Sequence, residues 1–191
     1  MPLLRYNVAI TLDGYIASLD GSTDWIIEDP SIDFDALYAQ FDTFIMGRKT
    51  FEVMMHYASQ TERSPFHGKH VLVVSSNMEG GHPDVEVLAK GYLDVLAERR
   101  ARPEGKDIWL MGGGQLAQEC LDAGLLDTIE AAIMPVVLGD GIKMVMPSTS
   151  AAGVKLIVQS AETLNSGIIM SKYQVSHSAP GPDTSASPGA I

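Results

Sequence analysis

The sequence DIWLMGGGQLAQECLDAGLLD, residues 107–127, decides the fold because it joins a buried strand to an amphipathic helix through three glycines. Residues 108–111 are all apolar, which is typical of a strand buried on both faces of a sheet. After the glycines, apolar residues return at helical spacing at Leu116, Ala117, Cys120 and Leu121. Gly124 stands where such a helix would end. The stretch therefore predicts a strand–turn–helix unit of an α/β domain.

The turn between this strand and this helix is a candidate anion site. A strand that enters a helix through bare backbone leaves several N–H groups pointing at one place, next to the positive end of the helix dipole. A phosphate can be held there without a charged side chain. A tight turn without a ligand is the simpler alternative, but three successive glycines, Gly112, Gly113 and Gly114, favour the anion site.

The same residues also fit the dinucleotide-binding pattern G-x-G-x-x-A, with Ala117 in the last place. That fingerprint requires an acid at the end of the next strand, and Glu130 stands roughly there. A Rossmann fold usually opens with this turn, whereas here at least three strand-like segments precede it and hairpin patterns follow Glu130. We therefore interpret the glycines as a phosphate-binding turn in another kind of α/β sheet.

A second turn of the same kind is Gly47-Arg48-Lys49-Thr50, which lies between a buried strand and a predicted helix. Two cations at a helix start oppose the helix dipole and need a reason. An anion such as a ribose phosphate or pyrophosphate would supply it. The alternative is a solvated helix start with ordinary surface charge.

Composition limits the classes of partner. The 191 residues carry a formal net charge of −11, which disfavours nucleic acid and anionic membranes as general partners. The single cysteine, Cys120, excludes an internal disulfide and is predicted to be a small core residue. The five histidines show no metal-ligand spacing, so we predict no metal site. The N-terminus lacks a signal-peptide layout and no apolar run approaches about 18 residues, so we expect a cytoplasmic protein.

The remaining periodicities predict the order β-loop-α-β-α-β-β-α-β-α-β-β-β. Predicted strands cover 4–12, 43–46, 70–75, 85–88 and 129–137, predicted helices cover 33–41, 49–57 and 92–100, and a predicted hairpin joins 154–163 to 167–175. Residues 58–69 are predicted to be a polar loop. Pro135 is expected to confine its strand to an edge or a bulge. Residues 18–32 have an apolar centre, which is typical of a lid or pocket wall.

The C-terminal residues predict where the domain stops. From residue 176 to residue 191 the sequence is nearly all Ser, Pro, Gly, Ala and Asp, a composition that cannot pack a core. We expect one domain over 1–175 and a disordered tail over 176–191. The domain shows no G-x-S-x-G elbow and no Cys–His pairing, which makes a covalent nucleophile an unfavoured mechanism. Anion-binding turns with scattered carboxylates suit a cofactor-dependent reaction.

Five motifs in order resemble the dihydrofolate reductase-like superfamily. They are T-L-D-G-Y-I-A at 11–17, I-M-G-R-K-T-F-E at 45–52, V-V-S-S at 73–76, the glycine triplet before a helix, and P-V-V-L-G-D-G at 135–141. The greatest likeness is to the group that contains the reductase domain of bacterial riboflavin biosynthesis, and it covers about residues 3–175. The resemblance implies a three-layer α/β/α fold with a mixed, mostly parallel sheet and a C-terminal antiparallel hairpin.

The resemblance also implies an NADPH-dependent reductase and assigns residues to the cofactor. By matching position, the 2′-phosphate would bind in the turn of Gly47, Arg48, Lys49 and Thr50, and the adenosine would lie between Ser75 and Ser76. The pyrophosphate and its ribose would bind to Gly112, Gly113, Gly114, Gln115 and Leu116. The nicotinamide would contact Ala9, Ile10 and Ile16. Residues 13–27 would form the loop that covers the nicotinamide.

The substrate is less defined by the resemblance. In folate reductases a carboxylate on the first helix grips the pteridine ring, and here Asp33 and Asp35 lie on or near that helix, at a shorter offset from Gly47 than expected. Asp35 is preferred as the catalytic acid because Asp33 is the better helix cap. The Arg-Lys-Thr turn is unusual for riboflavin reductases, and the H-x-E and P-C-x-x-C motifs of the fused deaminase are absent.

The expected function is a reductase acting on a pterin, pyrimidine or related heterocycle. One alternative is 5-amino-6-(5-phosphoribosylamino)uracil reduction in riboflavin biosynthesis, and another is an NADPH-binding module without turnover. The resemblance and the apolar closing strands lead us to expect a homodimer.

Overall fold

The computed structural model describes residues 1–60, 66–78, 85–148 and 153–177. The strands in these ranges are β1 (Leu4–Thr11), β2 (Tyr15–Ala17), β3 (Phe41–Gly47), β4 (His70–Val74), β5 (Val85–Leu88), β6 (Asp107–Gly112), β7 (Thr128–Met134), β8 (Ile142–Lys143), β9 (Leu156–Thr163) and β10 (Ile169–Val175). The helices are α1 (Phe34–Tyr38), α2 (Arg48–Gln60), α3 (Tyr92–Arg100) and α4 (Gly114–Asp122). None of the described helices is both long and apolar enough to cross a membrane.

Eight of these strands form one sheet in the order β5-β4-β3-β6-β1-β7-β10-β9, and β2 pairs with β8 beside it. The first six strands of this order are parallel, while β10 and β9 run antiparallel as the closing hairpin. The carboxyl ends of the six parallel strands therefore meet at one edge, which we call the carboxyl edge. The opposite edge is called the amino edge.

Strands β3 and β6 are parallel neighbours, but the connections that leave them lead to opposite sides of the sheet. From β3 the chain passes through α2 to β4 on one side, whereas from β6 it passes through α4 to β7 on the other side. In open α/β sheets ligands bind outside the carboxyl ends of the strands at such a switch point. The fold therefore predicts a ligand site at the carboxyl ends of β3 and β6.

Helices cover both faces of the sheet and produce the predicted three layers. Leu96 of α3 and Cys120 of α4 are buried in one hydrophobic cluster, together with Ile108 and Leu110 of β6. Trp109, the residue between those two, faces the other cluster, which contains α1 and α2 side chains. Because successive strand residues point to opposite faces, β6 is buried on both sides, as its apolar run predicted. The predicted fold class is confirmed.

Several predicted boundaries are wrong by a few residues. The first helix ends at Tyr38 instead of continuing to Phe41, because Phe41 begins β3 and its ring is fully buried under the Arg5 guanidinium. Helix α2 runs to Gln60, so residues 58–60 are helical and not loop. Residues 61–65 lie outside the described ranges, as do 178–191, which hold most of the predicted disordered tail.

The prediction for Pro135 is also wrong. Strand β7 lies between β1 and β10 in the interior of the sheet, so it is not an edge strand. Its ladder with β1 ends at Met134, and Pro135 follows immediately. A proline there removes no ladder hydrogen bond, so it terminates the strand without displacing it.

The Rossmann alternative is excluded by the position of Glu130, which lies in the middle of β7 and not at its end. Glu130 accepts hydrogen bonds of 2.7 Å from Nε and Nη2 of Arg5, and its Oε1 lies 3.2 Å from Nζ of Lys172. Burial raises the pKa of Glu130, but the contacts with Arg5 and Lys172 outweigh it and the pKa falls below its usual value. Arg5 also contacts Asp107 at 3.1 Å, so this network joins β1, β6, β7 and β10.

Candidate functional site

The two glycine turns lie side by side at the switch point. Met46 of β3 is in register with Gly112 of β6, so the strands end at the same level. A Cβ atom placed on Gly47 would lie 3.7 Å from the amide nitrogen of Gly113. One placed on Gly112 would lie 3.6 Å from Oγ1 of Thr50. The N-termini of α2 and α4 therefore lie side by side, and we call the region that both of them face the crevice.

The α4 side of this crevice presents bare backbone. Gly113 is the N-cap of α4 and makes no side-chain capping hydrogen bond. The first amides of a helix have no partner within the helix, so they can bind an anion. Gly112 has φ +122°, a conformation that side-chain-bearing residues rarely adopt. Bare glycine backbone with uncapped helix amides fits a pyrophosphate.

The α2 side adds a cation. The Arg48 side chain is 41% exposed, and its Nε lies 3.0 Å from Oε1 of Glu52 one helical turn away. Its Nη1 lies 3.4 Å from Oδ1 of Asn77, which also lies 3.3 Å from Oγ of Ser75. Arg48 therefore reaches from the end of β3 to the residues that follow β4. Lys49 and Ser76 are exposed at the same edge.

No pattern in the sequence indicated that Asn77 lies at this site. The pattern Ser-Ser-Asn after a predicted strand indicates a turn, and only its two serines were predicted to be site residues. The contact with Arg48 joins residues that are 29 positions apart in the chain, and no local pattern reveals it. Gln115 and Leu116, the remaining predicted pyrophosphate residues, follow Gly114 in the first turn of α4, with Gln115 exposed and Leu116 buried.

The third glycine of the triplet has a packing role. A Cβ on Gly114 would overlap the carbonyl oxygen of Lys143, which is backbone and cannot swing aside. The amide of Met146 also donates to the Gly114 carbonyl at 3.3 Å. The absence of a side chain at Gly114 is therefore explained by the close approach of the segment around β8.

Replacing Gly114 with alanine is expected to lower the free energy of unfolding by about 2 kcal/mol, within the usual range for overpacking a tight contact. Chemical denaturation measures it. The control is Gly153→Ala, because a Cβ there meets nothing within 4 Å and no positive φ is involved. Equal stability of the Gly114 and Gly153 variants would contradict the packing role.

The segment between β1 and α1 leaves the sheet at the carboxyl edge, where β1 ends. Asp13 accepts hydrogen bonds from the amides of Leu138 and Gly139 at 3.2 and 2.7 Å and from the Thr11 hydroxyl at 2.6 Å. These bonds, that of Thr11 first, lower the pKa of Asp13. Asp13 thus ties this segment to the turn before β8.

Asp29 is buried near the far end of the same segment. Its Oδ1 accepts hydrogen bonds from the amide and the hydroxyl of Ser31, at 2.9 and 2.5 Å. Between Asp13 and Asp29, the indole Nε1 of Trp25 is buried without a hydrogen-bond partner among the described residues.

The predicted nicotinamide residues lie at the carboxyl end of β1 and in β2. Ala9 and Ile10 pair with Ala132 and Ile133 of β7, and Ile10 is 8% exposed. Ile16 is half-buried in β2. They lie on the segment that borders the crevice and not within the glycine turns themselves.

The two carboxylates proposed for catalysis differ in their surroundings. Asp33 is the N-cap of α1, and its Oδ1 accepts a 2.9 Å hydrogen bond from the Ala36 amide. Asp35 is exposed in the first turn of the same helix. Asp33 is thus engaged as the helix cap, and Asp35 stays the preferred prediction for the catalytic carboxylate.

Fold and crevice together define an α/β domain of the dihydrofolate reductase-like class. The chain belongs to the RibD C-terminal domain family, which it matches over residues 2–170. It is 30% identical over 175 residues to Uncharacterized protein YyaP of Bacillus subtilis (strain 168), covering 87% of this chain and 92% of that protein.

Solved structures agree with this assignment. A putative riboflavin biosynthesis protein from Shewanella sp. PV-4 superposes with a TM-score of 0.76 at 24% identity, covering 92% of this chain and 99% of that one. Dihydrofolate reductase from Enterococcus faecalis, complexed with NADP(H), gives a TM-score of 0.57 at 18% identity, covering 91% and 94%. The likeness shows the fold, and the resemblance expected from the motifs is confirmed.

Proposed function

We propose that the protein is a cytoplasmic, NADPH-dependent reductase of a pterin, pyrimidine or related heterocycle. The observation that carries the proposal is the shared crevice, where a Cβ placed on Gly47 would lie 3.7 Å from the Gly113 amide nitrogen and one placed on Gly112 would lie 3.6 Å from Oγ1 of Thr50. Two helix N-termini that open onto one space suit a cofactor with more than one phosphate. Membership of the RibD C-terminal domain family supports a reductase.

Different residues along the crevice would bind different parts of NADPH. Arg48, Lys49 and Thr50 would pair with the 2′-phosphate, which is the group that distinguishes NADPH from NADH. The amides from Gly112 to Leu116 would hold the pyrophosphate and its ribose. Ser75 and Ser76 would flank the adenosine.

The nicotinamide would lie toward β1, against Ala9, Ile10 and Ile16. NADPH, when bound, supplies a hydride. The chain's own contribution is to align the two rings and to exclude water through the segment around residues 13–27. Asp35 would deliver a proton to the substrate.

The proposal is tested by thermal unfolding with NADPH, NADH and 2′,5′-ADP, followed by absorbance at 340 nm with candidate substrates. A ligand at about 100 times its dissociation constant adds about 2.7 kcal/mol of stability. We expect NADPH and 2′,5′-ADP to stabilise the protein more than NADH does, and dihydropterins or dihydrofolate to consume NADPH. Equal effects of NADPH and NADH would refute the placement of the 2′-phosphate.

Two other functions remain as defined alternatives. The family match supports the phosphoribosylamino-uracil reduction of riboflavin biosynthesis, with that intermediate consuming NADPH. The exposure of both candidate acids instead favours an NADPH-binding module, because neither carboxylate lies in a site from which water is excluded. Binding of NADPH without oxidation by any of these heterocycles would identify the module.

We also propose that the protein is a homodimer that pairs through β9. This strand ends the sheet, and Ile157 and Val158 are 52% and 61% exposed. An exposed apolar edge strand is a template for pairing with another strand. Val158→Lys is expected to convert a dimer to a monomer in sedimentation analysis, while the control Lys155→Ala leaves the dimer intact. A wild-type protein that sediments as a monomer would contradict this proposal.

A further inference from the structure

A recess opens at the amino edge, where the neighbouring strands β3, β4 and β6 begin. Its wall is made by the first residues of these strands and by the segment that follows α3, and its volume is about 120 Å³. One water molecule takes up roughly 30 Å³ in the liquid, so the recess has room for more than a single water. The crevice lies at the other end of the same strands, about 17 Å away along the six residues of β6. The recess is therefore separate from the proposed cofactor site.

The charges around the recess are mainly positive. Its ionisable lining residues are Asp42, His70, Arg99, Arg102, Glu104 and Lys106. The arginine and lysine side chains outnumber the carboxylates here, although the whole chain carries a formal net charge of −11. A local excess of cations around a recess in an acidic protein suits an anionic ligand.

Arg99 is a poorly paired charge in this lining. Its side chain is 14% exposed, and its buried Nε has no hydrogen-bond partner among the described residues. Its ion pair with Glu86 is long, with 3.7 Å between Nη2 and Oε2, which is beyond hydrogen-bond length. The Glu86 side chain is 56% exposed, so water screens this contact. Because a buried charged donor without an acceptor costs free energy, an acceptor from outside the chain would stabilise Arg99.

The neighbouring Arg100 shows that the end of α3 alone does not explain Arg99. Both arginines lie in the last turn of the helix, where the helix dipole favours a cation. Arg100 donates from Nε and Nη2 to the carboxylate of Asp127, at 3.0 and 2.5 Å. The dipole and this bidentate pair account for Arg100, whereas Arg99 is half-buried without a close carboxylate.

The two carboxylates of the recess do not supply the missing acceptor. Asp42 is engaged elsewhere, since its Oδ1 accepts from the Thr43 hydroxyl and its Oδ2 from the Lys106 amide, both at 2.8 Å. Glu104 is exposed and forms no ion pair within the described part of the chain. The acceptor for Arg99 is therefore not one of the acids that line the recess.

We propose that the recess binds a phosphate group, with Arg99 as its inner donor and Arg102 at its exposed rim. A guanidinium matches the oxygens of phosphate with two parallel N–H donors, and arginine keeps its charge when partly buried. The phosphate belongs either to the free ion or to a phosphate ester. The site is independent of the reductase proposal, because it lies at the opposite edge of the sheet from the crevice. Occupancy would stabilise the region where α3 meets β3, β4 and β6.

The test compares inorganic phosphate, glycerol 3-phosphate and acetate by titration calorimetry at constant ionic strength. The protein carries Arg48→Ala, which removes the arginine that would attract phosphate to the crevice. We expect one of the two phosphates to bind with a dissociation constant of about 1 mM or tighter. Acetate should bind at least about tenfold more weakly, because it carries one charge where phosphate carries nearly two. The tighter of the two phosphates identifies the source as the free ion or an ester.

Two variants of the recess change the affinity in opposite directions. Arg99→Met is expected to weaken phosphate binding about tenfold or more, since a hydrogen-bonded charge is lost. Glu104→Gln should tighten it about threefold, because a repelling carboxylate is removed from the lining. A gain in affinity cannot come from misfolding. The control is Glu98→Gln, which neutralises an exposed acid of α3 that does not line the recess and should leave the affinity unchanged.

The opposite results would overturn the proposal. One is the absence of phosphate binding at about ten times the expected dissociation constant. Another is acetate binding as tightly as phosphate. The third is an affinity for phosphate that neither Arg99→Met nor Glu104→Gln changes, which would place the anion outside the recess.

Discussion

Replacing Arg48 with alanine is expected to weaken NADPH binding about 10- to 100-fold while NADH binding changes little. Hydrogen bonds to charged groups contribute about 1.5–3 kcal/mol, and about 1.4 kcal/mol corresponds to a tenfold change in affinity. Because NADH lacks the 2′-phosphate, only NADPH should lose this contact. Titration calorimetry with both cofactors measures the two affinities directly.

Because the Arg48 side chain is partly exposed, its removal should change cofactor binding without unfolding the protein. Its ion pair with Glu52 is exposed on both sides, so its loss should change stability by less than about 1 kcal/mol. Arg102→Ala is a matched control, since it removes an exposed arginine near the amino edge. An unchanged preference for NADPH over NADH in the Arg48 variant would show that the phosphate lies elsewhere.

Replacing Arg5 with methionine is expected to lower the free energy of unfolding by about 3–5 kcal/mol, the cost of leaving a buried charge without its partner. The Arg5 side chain is 7% exposed, and Glu130, its main partner, is 12% exposed. Methionine keeps much of the volume that covers Phe41, so the loss reports the ionic contacts. Denaturation at neutral pH measures it.

The loss of stability in the Arg5 variant should depend on pH. In the wild type the pKa of Glu130 is lowered, so its contribution is present above the ordinary carboxylate pKa and is lost as the pH falls through the folded value. Without Arg5, burial should raise that pKa, and the deficit of the variant should shrink in acid. Lys172→Met is the control at the same carboxylate, and its partly exposed contact should cost less than about 1 kcal/mol. An Arg5 variant no worse than this control would contradict the account.

Local patterns predicted most of the elements because each strand and helix carries its own periodicity. The run at 108–111 predicted a strand buried on both faces, and its residues divide between the two clusters. The two glycine turns were visible because glycine and cations at a strand end are unusual in an acidic protein. Their convergence follows from the pairing of β3 with β6, which joins segments over 60 residues apart.

Features decided by tertiary contact could not be read from the sequence. Strands β2 and β8 have three and two residues, too short for a periodic signal, and exist because the Asp13 turn brings them together. Gly114 looked like part of the anion site, but its tight contact is with Lys143, far along the chain. The contact between Arg48 and Asn77 likewise joins separate segments, so the limits of the site depend on the fold.

The most direct measurement is a crystal structure of the protein with NADP⁺ bound. We expect the pyrophosphate between the Gly47 turn and Gly113, with the 2′-phosphate in contact with Arg48. The nicotinamide should lie toward β1. A dinucleotide bound outside the crevice between β3 and β6, or one whose 2′-phosphate points away from Arg48, would contradict it.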